Sequence, residues 1–138
     1  MSSEDFKADL EARIDAIESG YEFLLAYAAQ GRETDRGAGQ GRNVRDFLDR
    51  MATALDGLSS VVNDCAKQQD AEMLASSAAF FEALDLDAAK AGALVRLVLG
   101  RPDISSQLVD NLNASIHLRA LLTDLFIIDE AMKRTKPR

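Results

Sequence analysis

Cysteine, histidine, tryptophan and proline are all scarce in this chain, and each shortage closes off a class of answers. Cys65 is the single cysteine. An internal disulfide framework is therefore impossible, which fits a reducing compartment. His117 is the single histidine, so neither a di-iron bundle with two Glu-x-x-His motifs nor a zinc site with several Cys and His ligands can be built. Pro102 and Pro137 are the only prolines, leaving long stretches free of the strongest helix breaker. The apolar runs "FLLAYAA" and "GALVRLVLG" fall short of the ~20 residues of a membrane span, and Arg96 interrupts the second. The amino-terminal stretch "MSSEDFKADLEARIDAIE" has no basic region followed by an apolar one, so it does not read as a secretory signal. We expect a soluble, cytoplasmic protein that does not engage membranes.

What is plentiful points to helix. Alanine, the best intrinsic helix former, is the commonest residue, while aromatics make up only 6%. At 138 residues the chain reads as one domain, 1–138, long enough to bury a core without staples. A first helix is expected over Glu4–Gln30, with Ser2 and Asp5 at capping-box spacing and Gly31 as its stop. Phe6, Leu10, Ile14, Ile17, Tyr21, Leu24 and Ala28 alternate three- and four-residue steps, which is a stripe along one helix face. Ser19-Gly20 should weaken this helix or let another backbone approach. A second helix is expected over Asn43–Gln69, Asn43 being its N-cap, with a matching stripe of Val44, Leu48, Met51, Leu55, Leu58, Val62 and Cys65. Two matched stripes joined by a short connection imply an antiparallel hairpin. Beyond it, the pattern predicts a helix over Met73–Leu84 ending near "DLD", and a short one, Ala88–Leu99, apolar on almost every side. Gly100 and Pro102 close that segment, and a last helix, capped by Asp103 or Ser105, runs to about Lys133. The expected fold is all-α: an antiparallel bundle of four to five helices built on the long amino-terminal hairpin.

The net charge is −7, and its distribution is uneven. An acidic body lacks the continuous basic face that extended nucleic-acid binding needs. Positive charge gathers in two places: the tail, 133–138, and the stretch "GRETDRGAGQGRNVR" between the first two helices. The tail is expected to be a solvated terminus. In the interhelical loop, 31–42, and the helix turn after it, the backbone at Gly37, Gly39 and Gly41 can form an anion-binding concavity. Arg32, Arg36, Arg42 and Arg45 can supply charge-assisted hydrogen bonds to phosphate or carboxylate. The glycines match neither the P-loop nor the G-x-G-x-x-G pattern, and no strand precedes them. A mobile connector is the plainer reading. Arginine in a helix's first turn opposes the helix dipole, which suggests another purpose for Arg45. As exposed charges, these arginines would contribute little to folding.

Cys65 lies on the second stripe, where a small apolar core residue is the default. A Cys65–His117 nucleophile and base would still need an orienting third group, so catalysis is disfavoured. No cofactor and no metal are expected. Tyr21, Phe23 and Tyr27 spread wider than one core stripe requires and are candidates for an interface, core packing being the plainer alternative. The favoured function is a non-enzymatic helical interaction protein (an adaptor, regulator or assembly factor) that forms a homodimer or larger homo-oligomer. A partner protein with an acidic patch would suit the arginines. The alternative is a small-ligand module that binds an anionic metabolite or nucleotide phosphate through the Gly/Arg loop.

Overall fold

The computed structural model describes residues 2–37 and 43–134. These hold seven helices and no strand: α1 (Ser3–Ala28), α2 (Val44–Leu55), α3 (Leu58–Gln69), α4 (Ala71–Ser76), α5 (Ala78–Leu99), α6 (Ser106–Ala114) and α7 (Ile116–Arg134). Among the described residues no helix is long and apolar enough to cross a membrane.

The expected hairpin forms the frame. Ser2 and Asp5 make the reciprocal capping box at the head of α1. Along the pair, Phe23 meets Phe47, while Arg13 reaches the Ala54 carbonyl at 3.0 Å. Those two pairings run in opposite chain directions, so α1 and α2 are antiparallel. The second stripe is buried from Val44 to Cys65, yet its helix is not continuous. Asp56 turns extended and Gly57 takes a left-handed φ of 76°, a conformation open to glycine at little cost. The step from Leu55 to Leu58 crosses this break without losing the stripe, because three residues still return the chain to the same face. Arg13 also donates to the Asp56 carbonyl, which satisfies the frayed end of α2 with a positive charge.

Later boundaries differ more from the periodicity. The helix expected over Met73–Leu84 begins earlier and breaks at Ser77. Its second part continues through "DLD" as α5 to Leu99. Aspartate's weak helix preference costs only tenths of a kcal/mol. Burial of Leu84 and Ala88 on one face, and a 2.7 Å hydrogen bond from Ser59 to Asp85, hold the chain helical there. The last helix divides at Ser115, whose hydroxyl accepts from the His117 N–H at 3.2 Å. The count is therefore seven rather than four or five, although the bundle itself is as expected. In it, α2 and α3 line α1, α5 lies on α2 and α3, α6 returns to α1, and α7 covers α5.

Ser19-Gly20 does not break α1; it admits a neighbour. Gly20 is buried against Met51 of α2, and a Cβ there would lie 2.5 Å from the Met51 sulfur and closer still to its Cγ. Met51 is fully buried and has little room to yield. Gly20→Ala should thus destabilise the protein by about 1–2 kcal/mol, overpacking outweighing alanine's better helix propensity. Urea denaturation checks this, and in a Met51→Ala background the same change should become neutral or stabilising.

Candidate functional site

The Gly/Arg stretch meets the chain between α5 and α6, and the meeting is built from polar groups. After α1, Gly31 takes a left-handed φ of 66° and turns the chain toward α6. There Arg32 and Ser106 are bonded twice: the Arg32 N–H donates to the Ser106 hydroxyl, and the Ser106 N–H donates to the Arg32 carbonyl, both at 2.8 Å. The same hydroxyl donates to the Tyr27 carbonyl at 2.7 Å. Tyr27 completes the junction by donating its phenol to the Ile104 carbonyl at 2.7 Å. Burial pushes that phenol's pKa up, against the lowering effect of nearby Arg32.

Asp35 and Arg45 form the centre. Asp35 is 8% exposed. Its carboxylate accepts from Arg45 Nε at 2.7 Å, from Arg45 Nη2 at 3.4 Å and from the Ile104 N–H at 2.9 Å. Burial alone would raise its pKa, but the bonds from Arg45, Ile104 and its own backbone outweigh that, so the carboxyl titrates below its ordinary value. The rest of the Arg45 fork donates to the carbonyls of Leu99, Arg101 and Pro102 at 3.0, 2.8 and 3.2 Å. Contacts from Nε, Nη1 and Nη2 of one planar group to four different residues are something lysine cannot reproduce. These contacts also explain the misplaced charge. Arg45 opposes the dipole of α2 but sits at the carboxyl end of α5, where a cation is favourable.

The other arginines are engaged too. Arg32 donates to the Thr34 and Arg36 carbonyls at 3.1 Å each. Arg36 pairs with Asp103 at 3.4 Å on the surface, and Thr34 donates to the same Asp103 at 2.6 Å. Gly37 has a φ of 109°, and no described residue lies within 4 Å of where a Cβ would stand. Gly39, Gly41 and Arg42 lie outside the described residues. What the structure brings together from the predicted set is Arg32, Arg36 and Arg45, each bonded to this chain's own carbonyls and carboxylates. The expectation that the arginines add little to folding does not hold for Arg45.

The aromatic candidates are turned inward. Tyr27 has no exposed surface and is corrected from interface to core. Phe23 is half-buried, stacked on Phe47 with ring centroids 4.3 Å apart, and Tyr21 is half-buried against the core. Exposed apolar side chains occur elsewhere: Leu86 and Leu97 on α5, and Ile116, Phe126 and Ile127 on α7, all at 55% exposure or more. The consecutive run "FII" held the signal for two of them. At about 100° per residue, three successive apolar side chains cannot all face one core. In the segment Ala88–Leu99, expected to be apolar on all sides, one face is buried while Leu97 points outward.

Cys65 is buried, and burial followed by the charges of Asp64 and Asp9 pushes its thiol up in pKa. It borders a cavity of about 520 Å³ with Leu10, Ile14, Asp129 and Met132. His117 opens α7, whereas Asp129 stands about 18 Å further along that helix at 1.5 Å per residue. The two residues thus belong to opposite ends of α7, and no nucleophile–base pair forms. Among the described residues no group of three or more His, Cys, Asp or Glu stands together to hold a metal ion. Asn113 and Asp124 carry buried polar atoms without a hydrogen-bond partner among the described residues.

The two ion pairs of the loop should respond to mutation by very different amounts. Arg45→Ala strands a buried carboxylate and should cost about 2–3 kcal/mol, below the 3–5 typical of fully buried pairs because Arg45 is itself 37% exposed. Arg36→Ala, at an exposed pair, should change stability by less than about 0.5 kcal/mol. Because the folded Asp35 carboxyl sits below the unfolded value of about 3.9, its contribution is complete above that pH. It is lost as pH falls through the folded value. Denaturant titrations between pH 6 and pH 2 should show that loss in the wild type and a smaller one in Arg45→Ala.

Comparison of the chain with protein-family models, with curated proteins and with solved structures finds no match.

Proposed function

We propose that the chain is a non-enzymatic helical interaction protein that self-associates through the outer sides of α5 and α7. One observation carries this reading: among the described residues, five of the six large apolar side chains left exposed belong to those two helices. The sixth, Leu25, lies on α1. The connection from Arg32 to Asp35 is tied by hydrogen bonds to α6 and to Ile104. The outer sides of α5 and α7 are different, because Leu97, Ile116, Phe126 and Ile127 are each at least 55% exposed.

Magnitude sets the expected strength. Completing the burial of these five side chains on both protomers of a pair gains roughly 9–18 kcal/mol, at about 1.5–3 kcal/mol per whole side chain. Association costs about 4–15 kcal/mol in lost freedom of motion. The balance favours a weak, micromolar assembly or weaker, suited to an adaptor or regulator rather than a permanent oligomer. The anion-binding reading draws little support from Arg45, whose guanidinium is engaged by Asp35 and three carbonyls.

Sedimentation velocity across a concentration series from low to high micromolar is the test. The wild type should shift from 15.0 kDa toward twice that mass. Phe126→Glu combined with Ile127→Glu should keep the monomer mass throughout, with little change in Tm, since both positions are exposed. A wild-type mass that stays at the monomer value in the high micromolar range overturns the proposal.

A further inference from the structure

The inward side of α7 carries an acid where its pattern calls for an apolar residue. Asp124 stands among Leu121, Leu125 and Ile128, which are all buried. Facing it from α5 is Asp87, close enough for the two carboxyls to share a hydrogen bond. Asp124 Oδ2 is buried and has no partner among the described residues while both acids are ionised. No lysine or arginine forms an ion pair with either one among those residues; the four pairs present involve Asp9, Asp35, Asp103 and Asp129.

Two facing carboxylates repel, whereas one added proton turns them into a donor and an acceptor. The consequence falls on α7, which packs chiefly on α5 and only lightly on α6. We propose that Asp87 and Asp124 form a proton-operated hold on α7: with one shared proton they bridge α5 and α7, and with both ionised they loosen that seam. Burial, then the hydrogen bond from Asp87, then its charge push Asp124 up to about 7, which places the change near neutral pH.

The surrounding charges leave the pair to itself. On α5, Glu82, Asp85, Lys90 and Arg96 are exposed, as are Asp110 on α6 and Arg119 and Glu130 on α7. Asp129 is engaged with Lys133. Beyond burial, the neighbour that raises Asp124 is Asp87. Since the folded pKa is raised, the folded protein binds the extra proton between the unfolded value of about 3.9 and about 7. Stability from this site therefore falls as pH rises through that window and is at its lowest above it.

The test combines a carboxyl carbon NMR titration of the wild type with amide hydrogen exchange of α7 and thermal melts at pH 5 and pH 8. Asp124 should titrate near neutral pH, and Tm should fall toward pH 8. The α7 amides should exchange faster at pH 8, after correction for intrinsic rates, relative to those of α1. Asp124→Asn, which keeps a donor facing Asp87, should flatten both changes. Asp87→Asn should return the Asp124 midpoint toward the ordinary carboxylate range. Work at two protein concentrations separates the effect from association, so loss of self-association would leave these results intact. An Asp124 midpoint below pH 5, or parallel pH responses in wild type and Asp124→Asn, overturns the proposal. If the variants fail to fold, the wild-type midpoint still decides it.

Discussion

The Asp35–Arg45 pair is the point on which three otherwise separate parts of the chain converge. Asp35 belongs to the connection after α1, Arg45 to the first turn of α2, and the carbonyls of Leu99, Arg101 and Pro102 to the end of α5 and its exit. A planar guanidinium can donate in several directions at once, so one side chain satisfies a buried carboxylate and the open end of a helix together. Ile104, held by Asp35 through its N–H and by Tyr27 through its carbonyl, is fully buried as a result. The start of α6 follows from that anchor. A loop that reads as flexible is thereby tied on its described side to the far half of the molecule.

This closure shapes where function can reside. On its described side the loop bonds within the chain through Arg32, Asp35 and Arg45, and the hairpin aromatics pack against one another. Among the described residues, the large apolar side chains left outward lie mostly on α5 and α7. Their shared seam also contains the two facing acids, the least comfortable polar contact in the bundle. Six residues long and without a buried side chain, α4 is the element expected to have the lowest local stability, while α7 is held mainly by one seam with a like-charged pair inside it. In contrast, α1 is bound by α2, α3 and α6 and by caps at both ends of its pairing with α2.

Much of the fold was legible in the residues themselves. The two stripes from Phe6 and from Val44 define the faces that pack, and Ser2–Asp5 marks the first helix start, because these signals depend on local spacing and local hydrogen bonds. The breaks at Gly57, Ser77 and Ser115 were not marked by periodicity. An apolar stripe can cross a turn when the residue count returns it to the same side, as Leu55 and Leu58 do. Conversely, "DLD" resembles a helix end but stays helical, since burial of Leu84 and Ala88 outweighs a small propensity deficit.

The all-α class, the hairpin and the placement of Cys65 in the core were determined by the sequence alone, for each follows from composition and spacing within a single helix face. The roles of the arginines and of Asp124 were decided only by tertiary structure. Arg45 and Leu99 are far apart in the chain, and so are Asp87 and Asp124, so nothing local says that they meet. A charged side chain has its meaning set by the group opposite it: against Asp35 and open carbonyls it is a brace, against another acid it is a strain. Spacing can place such a residue on a face, but only the packing of the helices supplies the partner.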